Sequence, residues 1–569
     1  MKARLLFFGL LFLSVTAVSQ PAFPGAEGFG AVASGGRGGK VIYVTNLNVS
    51  GPGSLAEALA TEGPRYILFN VSGVIPGTIA VPPGRGDFTI AGHTSPGGII
   101  VRGLEMYNGE EPSVSNIIIR HIRSRIGDRE KYPTPFWLAD DGITLGGVRD
   151  AVIDHCSFAH AGDEAVDISR SSRLTIQNCL LGETLGGHAY LGGMLINYSD
   201  AASRLDSLSI HHNTWNRIGG RMPEISCETP YCNGKTVNIE LSNNLFWDPQ
   251  IELWYEGVTG AGGNFYVNIV AINNLSVARP AYSNGMFHHD LLHFPQNRLY
   301  FSGNKLNLYT GLADYDLFYC CNDFPDGLPN TDLGVASLQT ERAPFPSITY
   351  TETDELPAYM LKFAGAFPRD AMDKRLLSNI EDNSILSLPV DQAGADDAFV
   401  LNTPGSVPPD SDLDGMPDYW EISHDLNPAV QDHNGTEWSQ NITGTAGYTN
   451  LECYLNCLSD ALVNGYTTSS CGIAGFMSAA RDEAAESRIV HVVPNPAGES
   501  FRILSDNGRF DDISEVTLYS AQGHLLKKWS DVRLGEPLDI VDINPGFYLA
   551  EIKSRQQKTA PVFVRLIRQ

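Results

Sequence analysis

A short β-branched strand ending in a polar turn recurs along the chain, and this repeat constrains the fold more than any other feature. Its copies are Ile118-Ile119-Arg120-His121-Ile122, Val152-Ile153-Asp154-His155-Cys156, Thr175-Ile176-Gln177-Asn178-Cys179, Ser209-Ile210-His211-His212-Asn213, Glu240-Leu241-Ser242-Asn243-Asn244 and Val270-Ala271-Ile272-Asn273-Asn274, with a looser one ending at Gly303-Asn304. Their last residues, at 122, 156, 179, 213, 244, 274 and 304, are 34, 23, 34, 31, 30 and 30 residues apart. A period between about 20 and 50 residues marks a solenoid. Strand-type composition with little helical periodicity between copies points to an all-β chain wound as a parallel β-helix. Asn213, Asn244, Asn274 and Asn304 then stack in one turn of successive coils, where their amides bond along the stack and satisfy turn backbone. Cys156 and Cys179 occupy equivalent positions and are expected to stack in the core.

The same register places chemistry on one face. Asp163 lies seven residues past Cys156, His188 nine past Cys179 and Arg221 eight past Asn213. Neighbouring strands are about 4.8 Å apart, so carboxylate, imidazole and guanidinium line up on consecutive coils. Strand alternation puts Asp163 and Asp167 on the same side. The active site is expected there.

Met1 to Ser19 has Lys2 and Arg4 before an apolar core and ends in small residues, which reads as a secretory signal peptide. The chain is therefore expected to be secreted or held at the cell surface. A net charge of −26 argues against nucleic acid or an anionic membrane as partner. The nine cysteines are an odd number; Cys227 and Cys232 bracket a short loop and are candidates to bridge. Phe23 to Gly39 is glycine-rich and reads as a flexible lead-in to the solenoid, whose first strands fall at Val41–Val44, Tyr66–Val71 and Phe88–Ala91. Ser54 to Ala60 reads as a short capping helix.

Phe23-Pro-Gly-Ala-Glu-Gly-Phe-Gly, Gly51-Pro-Gly-Ser-Leu, Ile153-Asp-His-Cys-Ser and Arg221-Met-Pro together resemble the pectate lyase family of right-handed parallel β-helices, over roughly residues 21–385. The resemblance implies cleavage of polygalacturonate by β-elimination, generally with calcium. It also implies that Asp141, Asp163 and Asp167 are calcium ligands and that Arg221 is the catalytic base. Three positions depart from the family pattern. His188 stands nearest the usual middle-coil lysine, Ser226 replaces an arginine five residues after Arg221, and Ala139 replaces the partner of Asp141.

The chemistry asks for such a set. Elimination removes a C5 proton that lies alpha to a carboxylate, and a cation there stabilises the charge that develops. Two carboxylates about 5 Å apart repel by about 3 kcal/mol at an effective dielectric of 20, so a cluster of three expects a cation, and oxygen ligands suit calcium. Arginine ordinarily keeps its proton, so Arg221 either needs help from the cation and a dry cleft or stabilises charge while another group takes the proton. A histidine such as His188 can bind an acidic sugar or move a proton. The alternatives are a β-helical glycoside hydrolase using two carboxylates and water, and a non-catalytic β-helix that binds glycans through the acidic face. Phe287-His288-His289-Asp290 with His293 could hold a metal, but its spacing fits no zinc pattern and reads as burial.

Beyond the repeats, Asp410-Ser-Asp-Leu-Asp-Gly-Met-Pro-Asp-Tyr-Trp-Glu421 has a calcium-loop spacing, with Asp410, Asp412, Asp414, Asp418 and Glu421 as ligands and Met416 giving a carbonyl. It reads as a calcium-stiffened spacer. Val493-Pro-Asn-Pro-Ala, Val516-Thr-Leu-Tyr-Ser-Ala-Gln-Gly and Pro545-Gly-Phe-Tyr resemble the C-terminal sorting domain of the type IX secretion system, which implies that machinery as a partner. The expected organisation is a signal peptide (1–19), a β-helix lyase domain (20–385), a linker (386–409), a calcium-loop module (410–460), a second linker (461–488) and a C-terminal β-sandwich (489–569). The chain is expected to act as a monomer on an acidic polysaccharide, with Ca2+ as cofactor.

Overall fold

The computed structural model describes residues 20–107, 114–185, 192–201, 204–319, 336–385, 396–465, 490–493, 498–505, 513–520, 525–544, 546–554 and 562–568. The signal peptide, His188, Cys320 and Cys321, and most of 461–488 lie outside them. Among the described residues, three all-parallel sheets of ten, nine and seven strands, here A, B and C, wind as a right-handed parallel β-helix. Each full coil gives one strand to each sheet. One coil contributes Arg149–Asp154 to sheet A, Ser157–Ala159 to sheet B and Val166–Ser169 to sheet C. The expected early strands are present as Lys40–Val44, Arg65–Phe69 and Phe88–Ala91, and helix Leu55–Ala60 covers the first coil, capped by the Ser54 hydroxyl accepting from the Glu57 N–H.

The bend from sheet A to sheet B uses one left-handed residue per coil. His121, His155, Asn178, His212, Asn243 and Asn273 have φ of 57°, 50°, 54°, 54°, 51° and 52°, and Gly303 fills the same place at 75°. Asn, His and Gly tolerate this conformation best, which explains the polar ending of every repeat. The next residue turns inward. Asn213 Nδ2 donates to Asn244 Oδ1 (3.2 Å), Asn244 to Asn274 (3.2 Å) and Asn274 to Asn304 (2.8 Å), while Asp314 accepts from Asn304 and ends the ladder. Each amide also reaches a backbone carbonyl, as Asn244 Nδ2 does at Ile210 (2.9 Å). Cys179 continues the stack, its N–H donating to Asn213 Oδ1 (2.9 Å). The apolar positions follow in register, Ile119, Ile153, Ile176, Ile210 and Leu241 pairing coil to coil and filling the interior.

The glycine-rich stretch is a fixed strap rather than a flexible lead-in. The N–H groups of Glu27, Phe29 and Gly30 donate to Gln177, Ser209 and Thr175, side chains on the outer face of sheet A. A Cβ on Gly30 would fall 2.1 Å from the Ala151 carbonyl, so the glycine is there for close approach. Helices Leu356–Phe363 and Ala371–Glu381 cover sheet B, and Asp370 and Asp373 pair with Arg123 and Arg125 in full burial. Within the stretch expected to be a linker, Ala398 is buried and Phe399 packs on Tyr132. Cys227 and Cys232 are bridged.

The module expected at 410–460 is not a free-standing spacer. Met416, Trp420, Tyr448 and Leu451 share one core with Tyr66, Leu68 and Ala91 of the β-helix. Helix Asn450–Asn464 starts with a capping box from Thr449 and Glu452, and Glu452 also pairs with Arg37 of the strap (2.8 Å). The C-terminal part is a small sandwich of antiparallel sheets around Phe501, Ile503, Val516 and Ile552. Among the described residues, no helix is long and apolar enough to cross a membrane.

Candidate active site

Sheet C carries a column of registered positions, Glu105, Thr144, Asp167, Leu195, Glu224 and Trp254, each on a successive coil. Immediately before the strands, the turns bring further charges onto the same rim. Asp141, Asp163 and Glu164 each offer an oxygen such that all lie within 4.8 Å of one another. Arg221, at φ 50°, reaches back over the intervening coil to this group. Its guanidinium is ion-paired with Glu164, lies 3.4 Å from Asp163 and 3.3 Å from Glu224, and is 14 % exposed. Gly192 and Gly193 leave the room it crosses: a Cβ on Gly192 would stand 2.7 Å from the Arg221 side chain.

The electrostatics are those of a site short of positive charge. Burial pushes Asp141 up to about 6, with Asp163 and Asp140 adding to it against a hydrogen bond from the Thr144 hydroxyl (2.8 Å). Burial, then Asp141 and Asp163, push Asp167 up to about 7. Glu105 is raised by burial and by Asp141. Several carboxylates share one rim and one guanidinium, an arrangement that fits a hard cation held by oxygen.

The structure thus brings together three of the residues expected from the sequence, Asp141, Asp163 and Arg221. Asp167 sits in the strand column, within electrostatic reach of Asp141 and Asp163 but not in the converging trio. Glu164 takes that third place and was not expected. It is adjacent to Asp163, yet the strand begins only at Val166. Alternation therefore does not govern the pair, and both side chains can point the same way. His188 falls outside the described residues.

Two further clusters lie elsewhere. His288, His289 and Asp290 converge, with His288 stacked on Trp254 at 3.9 Å and lowered by burial to about 4. In the loop at 410–421, Asp410, Asp412 and Asp414 converge, and Asp414 also meets Glu421 and Asp432. The Met416 N–H is turned to Asp414 Oδ1 (3.1 Å). Asp418 is the exception among the expected ligands: its carboxylate accepts from the Ser411 N–H (2.7 Å) and hydroxyl (2.8 Å) and joins neither group.

The chain is similar to known proteins over most of its length. The chain is 31% identical over 453 residues to a protein of Aspergillus oryzae named "Probable pectate lyase C", covering 77% of this chain and 94% of that one. The Aspergillus terreus protein of the same name is 30% identical, with 80% and 99% covered. Among solved structures, the cedar pollen allergen jun a 1 aligns with 18% identity and a TM-score of 0.41, over 60% of this chain and 92% of that one. Residues 491–565 match the family described as secretion system C-terminal sorting domain. Fold and relatives define a β-helical polysaccharide lyase with a sorting domain over residues 491–565. The chain belongs to the pectate lyase family.

Proposed function

We propose that the protein is an exported, calcium-dependent lyase that cuts polygalacturonate-type glycans by β-elimination on the sheet C rim. One observation carries the reading: Asp141, Asp163 and Glu164 converge, with the Arg221 guanidinium among them. Asp141, Asp163 and Glu164 are the residues to hold the cation, with Asp167 adding charge from the strand column. Bound there, calcium would neutralise the sugar carboxylate and the charge that builds on it as C5 loses its proton.

Arg221 has two tasks in this reading. Before substrate arrives its guanidinium balances the acidic rim and keeps it assembled. Once those carboxylates are otherwise neutralised, the side chain is free to give up a proton to solvent and turn to the sugar as a neutral guanidine. It then takes the C5 proton as the C4–C5 double bond forms and the C4–O bond breaks, and water protonates the departing oxygen. His188 is assigned to the sugar carboxylate, in the place where a lysine is usual. The sorting-domain match and the signal-like N-terminus support export by the type IX machinery.

The test is ultraviolet absorbance of the new C4–C5 double bond, using purified protein and polygalacturonate with and without calcium. A calcium-dependent rise is expected, falling by about 100-fold or more in Arg221→Ala, the scale of a lost acid–base group. New reducing ends with a flat trace would replace elimination by hydrolysis. Full turnover in Arg221→Ala would remove that residue from the mechanism.

A further inference from the structure

We propose that residues 410–432 hold a second divalent cation, remote from the sheet C rim, and that this cation fastens the helical module to the first coils of the β-helix. The proposal does not depend on the lyase reading.

The ligand set is larger than the twelve-residue loop. Asp410, Asp412 and Asp414 form one converging group, and Asp414 is shared with a second made by Glu421 and Asp432. Asp432 lies outside the loop and is tied to it, its N–H donating to Asp414 Oδ2 (3.0 Å). It makes up for Asp418, which Ser411 draws away.

A solvated acidic turn would not look like this. Glu421 is 0% exposed, and neither of its oxygens has a hydrogen-bond partner among the described residues. Asp412 Oδ2 and Asp432 Oδ1 are also shut away from solvent without a partner. Leaving buried carboxylate oxygens unmet is costly, and the oxygens of one glutamate and four aspartates, in two trios joined at Asp414, are met by a cation. An all-oxygen set of this size suits calcium rather than a softer metal.

The site stands on a seam. The Tyr43 hydroxyl, on the first strand of the β-helix, donates to Asp410 Oδ2. Gly415, at φ 100°, is wedged so that a Cβ there would meet Leu451 at 3.0 Å and Leu68 at 3.2 Å. His433 and Asn434, next to Asp432, both bond the Gly39 carbonyl (3.2 and 3.1 Å). Closing the loop on a cation therefore closes it on the β-helix as well. Without the cation, the five carboxylates repel one another within the loop that the seam is built on.

The experiment titrates the full mature chain with Ca2+, read by calorimetric Tm, and with Tb3+, read by luminescence excited through Trp420, the neighbour of Glu421. Asp163→Asn isolates this site from the sheet C rim, and Asp432→Asn weakens it. At a hundredfold excess over Kd, Ca2+ should raise Tm by roughly 3–6 °C in the parent and in Asp163→Asn. Asp432→Asn should lose at least tenfold in Tb3+ affinity together with that rise. Tyr43→Phe should lower Tm both with and without Ca2+, and its rise should follow its Tb3+ affinity. Chelating the unmodified protein gives the same readout should Asp432→Asn not fold: Tm must drop and be restored by Ca2+. Equal Tb3+ affinity in Asp432→Asn, or Ca2+ binding that leaves the parent Tm unmoved, would overturn the proposal.

Discussion

Glu164 and Arg221 belong to coils two apart and are ion-paired across Gly192. The contact exists because the coil between them offers no side chain there; a Cβ on Gly192 would sit 2.7 Å from both Cβ and Cδ of Arg221. Gly192→Ala therefore displaces the guanidinium without touching a charged group. A misplacement of about 1 Å costs on the order of 100-fold in rate, so kcat should fall by about that much while Tm stays nearly constant. Initial rates and calorimetry on one preparation decide it. An unchanged kcat would mean that the position of Arg221 does not matter to turnover.

The asparagine ladder should behave as structure only. Asn244 is fully buried; it accepts from Asn213 and donates to Ile210, Ser242 and Asn274. Asn244→Ala orphans groups on both neighbouring coils, at about 1–3 kcal/mol for each buried group left unmet. Denaturant unfolding should show a loss of about 2–4 kcal/mol, with KM for polygalacturonate unchanged below the transition. A shift in KM would give the ladder a part in binding.

How far the sequence could be read follows from which rules apply where. The ladder at Asn213, Asn244, Asn274 and Asn304 was legible because each coil repeats its corner, and the left-handed residue just before each ladder position admits few residue types. Asp163 and Arg221 were legible because counting from those corners sets angular position, whereas Asp141 came only from the resemblance to the family. Glu164 was not, since it lies in a turn where period-two alternation has no force. Asp432 was missed because it comes from outside its loop, through a fold-back that spacing does not encode. Glycines were misread most: at Gly30 the missing Cβ serves packing against Ala151, and composition alone cannot tell close approach from freedom.

The covering helix Ala371–Glu381 depends on a buried charge cluster. Asp373 meets Arg123 at 3.1 Å and Arg125 at 2.8 Å and accepts from the Ser157 hydroxyl (3.0 Å), all fully enclosed. Removing one member leaves two buried guanidiniums short of charge. Asp373→Ala should cost about 3–5 kcal/mol, the scale of a broken buried pair. Thermal and chemical unfolding would both report it. A loss under about 1 kcal/mol would place the cluster in effective contact with water.

Acid should loosen the seam between helix Asn450–Asn464 and the β-helix through a stack of histidines. The rings of His93, His121 and His155 lie on successive coils at 4.7 and 5.1 Å. His93 Nε2 bonds the Leu455 carbonyl, and His121 Nε2 bonds the Ser459 hydroxyl, both on that helix. Burial, then the nearby Arg120, hold His93 down at about 3; burial, His93 and His155 hold His121 well below its ordinary 6.5. His121 Nδ1 accepts from the Phe367 N–H, which fixes the neutral ring. Folded, His93 and His121 refuse protons that the unfolded chain takes up near pH 6.5. Their stability is complete above that pH and is lost as pH falls from about 6.5 toward 3, at about 1.4 kcal/mol per unit for each ring. Calorimetry from neutral pH down to about 4.5 should show Tm falling, with a shallower slope in His93→Gln, which keeps a side-chain donor but cannot titrate. An identical slope in that variant would assign the acid loss to other groups.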